Sequence, residues 1–186
     1  MKIPTQQAQI DLQTIETPIG TLVVCATLQG ICLVEFADIQ GLEKEYAKLA
    51  KEKQAVIKEQ DNPHITQFKQ ELEAYFTKTR TNFTVALDIV GTVFQQQVWQ
   101  GLLSIPYGET KSYKQQSDFL NIPKSIRAVA NANGQNRIAI VIPCHRIIGA
   151  DGSLTGYKGG LWRKQKLLEL ENIAYSKETQ LSLFVD

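Results

Sequence analysis

Cys144 and His145 stand side by side in the stretch "IPCHRIIGADGSLTGYKGG", Ile142 to Gly160, with Pro143 before them, Arg146 after them and five glycines following. A cysteine in that setting can be a nucleophile, a metal ligand or a small core residue. Metal ligation is the weakest option, because a zinc-type site needs about four N or S ligands and residues 91–186 hold no further Cys or His. A core cysteine fits the apolar run "RIAIVI" before it but leaves the cationic, glycine-rich neighbourhood without a purpose. A nucleophile uses that neighbourhood, since adjacent positive charge lowers a thiol pKa and raises the thiolate fraction. Neighbouring side chains of an extended chain point to opposite faces. Cys144 and His145 therefore pair directly only if the backbone turns sharply at Pro143; otherwise a water joins thiol and imidazole. An imidazole working that way needs a carboxylate on its other nitrogen. The acids downstream are Asp151, Glu169 and Glu171, and spacing does not choose among them.

The elements that must hold this pair divide the chain in two. In the first 90 residues, "DLQTIETPIGTLVVCATLQGICLVEF" predicts two or three short strands with turns at Pro18-Ile19-Gly20 and Gln29-Gly30. Cys25 and Cys32 lie inside those runs and read as core. Gly41 to Lys53 has helix-forming composition. Asn62-Pro63 predicts an N-cap followed by proline at the first helical position, opening a helix to about Thr77 that buries Ile65, Phe68, Leu72, Tyr75 and Phe76. His64 in its first turn reads as a surface residue, and "NFTVALDI" as a closing strand.

From Gly91 the pattern turns helical. "TVFQQQVWQGLLSI" carries a stripe of Val93, Phe94, Val98, Trp99, Leu102 and Ile105. After the turn "IPYGET", the runs "SYKQQSDFL" and "PKSIRAVANANG" predict two short helices, with Pro123 opening the second and Gly134 ending it. Two short helices across a tight turn form a helix-turn-helix pattern. The second is thin, with Ala128, Ala130 and Ala132, and Arg127 is its prominent long side chain; it suits either a nucleic-acid groove or close helix packing. "RIAIVI" reads as a buried strand leading into Pro143, and Leu161 to about Glu171 as the last helix. The fold class is α/β of the α+β kind, with domains at 1–90 and 91–186.

Bulk properties are those of an ordinary globular chain, 43% hydrophobic and 21% charged. No apolar run approaches the roughly 20 residues that span a bilayer, and "MKIPTQQAQI" lacks a signal-peptide core. With three cysteines in no framework spacing, the expectation is reduced thiols in the cytoplasm. Charge is unevenly placed: residues 1–90 hold 9 Lys/Arg against 12 Asp/Glu, whereas 111–166 hold 10 against 2. A basic stretch of that kind fits a phosphate-binding surface or a solvated face.

Taken together these motifs resemble the O6-alkylguanine-DNA alkyltransferases, whose signature is Pro-Cys-His-Arg followed by a Gly-Tyr-x-Gly-Gly loop. "GTVFQQQVWQGLLSIPYGETKSY", "PKSIRAVANANGQN" and "RKQKLLELE" extend the likeness from about Gly91 to Glu171. The resemblance implies an RNase H-like N-terminal half and a winged helix-turn-helix C-terminal half. It implies transfer of an alkyl group from O6-alkylguanine in double-stranded DNA, with O4-alkylthymine as a further candidate, to Cys144 in one irreversible step, by a cytoplasmic monomer without metal or organic cofactor. His145 would take the thiol proton through a water, and Glu171 would hold the imidazole. Tyr113 would donate to the departing purine, and Asn136 would brace the turn before the cysteine. Arg127 would fill the stack left by the flipped base, with Ser125, Ala128 and Arg146 on the DNA face. Tyr157, Lys158 and Gly159 would wall the pocket. Arg137, where the family commonly has proline, would loosen the hinge and add a phosphate contact. The competing expectations are a lesion-binding helix-turn-helix sensor that does no chemistry and a cysteine hydrolase using the same Cys144 and His145.

Overall fold

A computed structural model describes residues 8–173 of the chain. Its N-terminal half is built on strands β1 (Ala8–Ile15), β2 (Leu22–Ala26), β3 (Ile31–Phe36) and β4 (Ala55–Glu59), with helices α1 (Leu42–Lys53) and α2 (Pro63–Phe76). The sheet order is β3-β2-β1-β4; the first three strands meander antiparallel, and β4 pairs parallel with β1. A parallel partner requires a crossover, which α1 supplies. Both faces of β2 and β3 are covered, so they read as unbroken apolar runs rather than alternating ones. Cys25 and Cys32 are buried there as expected.

One strand in this half is unexpected and one expected strand is lost. The short "AVIKE" of β4 follows directly on the charged helix; left-handed Gln54 (φ 50) ends α1 and turns the chain back. "NFTVALDI" makes only an isolated bridge, Leu87 to Ile31. It runs close to β3, where a Cβ on Gly30 would lie 2.4 Å from the Ala86 carbonyl oxygen. Asp88 leaves the ladder direction to accept from Lys53 at 2.5 and 2.6 Å and from Thr27 at 2.6 Å.

α2 begins as the sequence indicates. Asn62 Oδ1 accepts from the His64 backbone N–H at 2.8 Å with Pro63 behind the cap, and Ile65, Phe68, Leu72 and Tyr75 form its buried face. His64 is half-buried and lies 3.3 Å from the Leu28 carbonyl.

The C-terminal half comprises α3 (Val93–Leu103), β5 (Lys111–Ser112), α4 (Tyr113–Phe119), α5 (Ile126–Gly134), a 3-10 turn (Cys144–Arg146), β6 (Ile147–Ile148) and α6 (Leu161–Leu170). α3 and α4 both start with capping boxes, Thr92 with Gln95 and Ser112 with Gln115. Val93, expected in the buried stripe, is 85% exposed, because the side chain at the first helical position points off the core face. Pro123 sits in the turn and α5 starts three residues later, after Ser125. A reciprocal amide pair locks α4 on α5: Gln116 Nε2 donates to Asn133 at 3.1 Å and Asn133 Nδ2 donates back at 2.6 Å. Trp99 of α3 donates its indole N–H to Ala132 O at 2.8 Å. The small residues of α5 thus divide: Ala132 permits close packing, while Ala128 faces solvent.

The two halves share one apolar cluster, running from β2 and β3 through α2 and α3 to Leu167 of α6. Arg163 of α6 fastens that junction. Its guanidinium lies 4.1 Å from the Phe36 ring centre and donates to Ile19 O (2.8 Å), Gly159 O (3.0 Å) and Asp38 (2.8 Å). Arg163→Ala leaves two buried carbonyls without donors and a void against Phe36, and is expected to lower unfolding free energy by about 2–4 kcal/mol. A lower urea midpoint at unchanged m measures this.

Candidate active site around Cys144

"RIAIVI" is not a strand, and that determines where Cys144 sits. The segment makes one bridge to β3, with Val34 N–H to Arg137 O at 2.8 Å and Ala139 N–H to Val34 O at 2.9 Å, and then coils. Ile140 takes φ 70, a conformation that costs a β-branched residue about 1–3 kcal/mol and persists only where the surroundings impose it. Asn136 imposes it. Its Oδ1 accepts from Ile138 N–H at 3.0 Å, and its Nδ2 donates to Ile142 O at 2.8 Å and approaches Cys144 Sγ at 3.3 Å. One buried amide therefore ties the turn and touches the sulfur.

Pro143 (φ −83, ψ 61) leads into the 3-10 turn that carries Cys144 and His145. The backbone thus turns sharply at the residue the sequence points to. His145 is fully buried, and its Nε2 lies 2.9 Å from Glu171 Oε1. Its Nδ1 has no partner among the described residues.

Glu171, at the end of α6 and 1% exposed, is the hub. Its Oε1 also accepts from Tyr75 hydroxyl at 2.7 Å and Arg146 Nη2 at 2.8 Å; its Oε2 accepts from Arg146 Nε at 2.9 Å and Gly108 N–H at 3.2 Å. Burial pushes this carboxyl up, but the hydrogen bonds and charges of His145 and Arg146 outweigh burial and hold it well below the usual carboxylate range. Burial pushes His145 down, against the pull of Glu171, and Arg146 and Lys164 push the same way. The imidazole is therefore neutral near pH 7, the form a base requires.

Two roles read from the sequence do not survive this geometry. Arg146 cannot lie on a DNA face: it is buried, spent on Glu171 and on Ile105 O at 2.7 Å. Nor does Arg146 supply the charge that activates Cys144. Burial pushes the thiol up; the Asn136 amide and the Lys164 ammonium pull the other way. Lys164 is fully buried, and its Nζ donates to Ile147 O and Thr155 O. Burial lowers it to about 8.

The glycine loop closes over this ground. Tyr113 hydroxyl reaches Thr155 O at 3.4 Å, and a Cβ on left-handed Gly156 (φ 54) would lie 2.8 Å from that hydroxyl. Tyr157 hydroxyl is buried without a partner among the described residues. Gly159 is buried, and a Cβ there would lie 2.6 Å from the Phe36 ring. Lys158 turns away, to Glu35 at 3.0 Å and Glu45 at 3.3 Å. Arg137 makes no exposed phosphate contact: its guanidinium is bonded to Glu45 (3.2 Å) and Glu52 (2.5 Å) of α1, so it fastens the hinge instead of loosening it. Of the ten basic residues in 111–166, Arg137, Arg146, Arg163 and Lys164 are buried. The basic footprint is smaller than the sequence count. Arg127 and Ala128 are exposed on α5 beside half-buried Ser125, whose side chain makes no cap hydrogen bond.

By sequence Lys164 reads as one of the surface charges and Tyr75 only as core. No local signal distinguishes them, since both gain their partners from distant segments.

Comparison with known proteins places this geometry. Residues 12–89 match the model described as "6-O-methylguanine DNA methyltransferase, ribonuclease-like domain", and residues 93–173 that described as "6-O-methylguanine DNA methyltransferase, DNA binding domain". A methylated-DNA–protein-cysteine methyltransferase of Mycobacterium tuberculosis (strain H37Rv) is 46% identical over 162 residues, 87% of this chain and 92% of that protein. The constitutive one of Bacillus subtilis is 36% identical over 167 residues, 89% and 97% of the two chains. The crystal structure of the M. tuberculosis OGT in complex with DNA superposes with a TM-score of 0.74 at 39% identity, covering 93% of this chain and 99% of that one.

Lys164→Met removes the cation that favours the thiolate. Alkylation of Cys144 by iodoacetamide at pH 7 is expected to slow about tenfold as the thiolate fraction falls. Cys25 and Cys32 stay silent in that assay, since burial pushes both up, Cys32 to about 12. Unchanged labelling at Cys144 would remove Lys164 from the chemistry.

Proposed function

This chain belongs to the 6-O-methylguanine DNA methyltransferase family, and from that premise we propose that Cys144 takes the alkyl group from O6-alkylguanine in DNA and keeps it. The activity is DNA repair by methyl transfer to a cysteine of the protein itself. One observation carries the residue assignment: a half-buried thiol sits at a turn beside an imidazole whose Nε2 is fixed on a buried carboxylate, while its Nδ1 lacks a partner among the described residues.

The steps follow from these positions. His145 Nδ1 accepts the Cys144 proton through a water. The sulfur attacks the alkyl carbon, the S–C bond forms, and the O6–C bond breaks with its electrons on oxygen. The guanine ends in its keto form with a proton on N1, so the thiol hydrogen leaves with the base. Tyr113, whose hydroxyl burial pushes up and so keeps protonated, donates to the purine as charge develops. A thioether has no easy return to thiol, so each molecule reacts once.

O6 lies within the base stack, and a protein reaches it only by rotating the nucleotide out, at a cost of a few kcal/mol. Arg127, exposed on α5 and without an ion-pair partner among the described residues, enters the vacated stack. Ser125 and Ala128 lie beside it, where the start of α5 favours phosphate. Tyr157 and the Gly159 backbone wall the base pocket. Lys158 acts through the pocket loop's attachment to Glu35 and Glu45. The proposal includes double-stranded DNA as partner, O4-alkylthymine as a second substrate, a monomer acting in the cytoplasm, and a supporting half at 1–90 with a reacting half at 91–186. Among the described residues no group of three or more His, Cys, Asp or Glu is placed to hold a metal, and no helix is long and apolar enough to cross a membrane.

Intact-protein mass spectrometry after incubation with methylated duplex should show gain of one methyl, mapped to Cys144. An unmodified protein that still binds the duplex would make it a sensor, and turnover of an ester substrate a hydrolase. Arg127→Ala should slow transfer from duplex by roughly tenfold or more while leaving transfer from free O6-methylguanine within about twofold. Equal slowing of both would remove the stack-filling role.

A further inference from the structure

The N-terminal half contributes a side chain to the hub of the site: Tyr75, at the last turn of α2, donates its hydroxyl to Glu171 Oε1 at 2.7 Å across 96 residues of sequence. We propose that Tyr75 is a positioning residue for the transfer reaction, acting through Glu171 to set how strongly His145 holds the proton it takes from Cys144. This rests on the reading of Cys144 as acceptor and His145 as its base.

The hydroxyl is placed with precision that a space-filling aromatic would not require. Tyr75 is 1% exposed and lies on the same face of α2 as Ile65, Phe68 and Leu72, so the Asn62 cap fixes the rotation that aims it. Its ring packs edge-on against Tyr107 at 5.9 Å and tilted against Phe83 at 5.4 Å. A phenylalanine would fill that space. Burying a hydroxyl is unfavourable unless it is bonded, and among the described residues this one is bonded only to the carboxylate that holds the base.

The chemistry follows from sharing one oxygen. Oε1 receives Tyr75, His145 and Arg146 together. Each donor withdraws negative charge from the oxygen and weakens its hold on the imidazolium that forms during transfer. Every charged or titratable group that bears on this pair is in view. Glu171 is faced by Tyr75 from α2, by Tyr107 and the Gly108 N–H from the turn after α3, and by Arg146 and His145 from the 3-10 turn. His145 is faced by Glu171 and Lys164 from α6 and by Arg146 on its own turn. Tyr107 spends its hydroxyl on Leu170 O at 2.9 Å, so it supports the helix end and leaves the carboxylate alone. Burial keeps Tyr75 a neutral donor throughout the working pH range.

The test is the pH dependence of single-turnover methyl transfer from duplex in the full-length protein. The rate falls on the acid side as His145 becomes protonated. Tyr75→Phe removes one donor, leaves more charge on Glu171, favours the imidazolium, and should move the acid limb up by about half a pH unit or more. Site-specific 3-fluorotyrosine at position 75, a stronger donor of nearly the same shape, should move it down, and serves as the readout should the phenylalanine variant fail to fold. Tyr107→Phe should leave the limb in place. An acid limb unmoved by fluorotyrosine, or moved upward by it, would reduce Tyr75 to a packing residue. No methyl on Cys144 in the unmodified protein would instead overturn the repair reading itself.

Discussion

A carboxylate with almost no contact with solvent receives five hydrogen bonds from four residues at the end of α6, and the site depends on its being satisfied. Glu171 alone would be a costly buried charge; with Arg146 bidentate on it the pair is neutral. That neutrality matters for the proposed base, His145. An unopposed carboxylate would hold His145 charged at rest and leave it no room for the thiol proton. A carboxylate already shared with Arg146, Tyr75 and Gly108 fixes the imidazole's orientation and leaves it unprotonated.

The same carboxylate explains why the halves are fused in one core. Its donors come from α2, from the turn after α3 and from the 3-10 turn, so no single segment assembles the base. Arg163 on Phe36, Arg137 on Glu45 and Glu52, and Lys158 on Glu35 and Glu45 repeat the pattern: cations of the C-terminal half are anchored on groups of the N-terminal half. The acidic excess of residues 1–90 and the basic excess of 111–166 are partly one internal charge pairing seen along the chain. What remains exposed around α5 is a narrower basic set, including Arg127.

How much of this was legible follows from the range of each interaction. Caps are local, so Asn62-Pro63 could be read directly, and Thr92 and Ser112 open the helices expected near them. The Cys144-His145 pair was legible from adjacency, which left a sharp turn at Pro143 or a bridging water open; the backbone takes the turn. Glu171 was not separable from Asp151 and Glu169 by spacing; only the resemblance to a family selected it. "RIAIVI" has strand composition and coils because Asn136 satisfies the backbone groups a ladder would have used. Arg137, Arg146 and Lys164 looked like surface charges because a basic residue carries no mark of the carbonyl or carboxylate that will bury it. Tyr75 sat on a correctly expected helical face, but the partner of its hydroxyl lies 96 residues away.

The measurement that bears most directly on the central claim is the single-turnover rate of methyl transfer in Glu171→Gln, taken on protein whose circular dichroism overlays that of the unaltered chain. Glutamine keeps the shape and loses the charge that orients and supports the imidazole. The account predicts transfer slowed by roughly a hundredfold or more, in line with loss of general-base assistance. A folded Glu171→Gln protein that transfers within about twofold of the unaltered rate would contradict it.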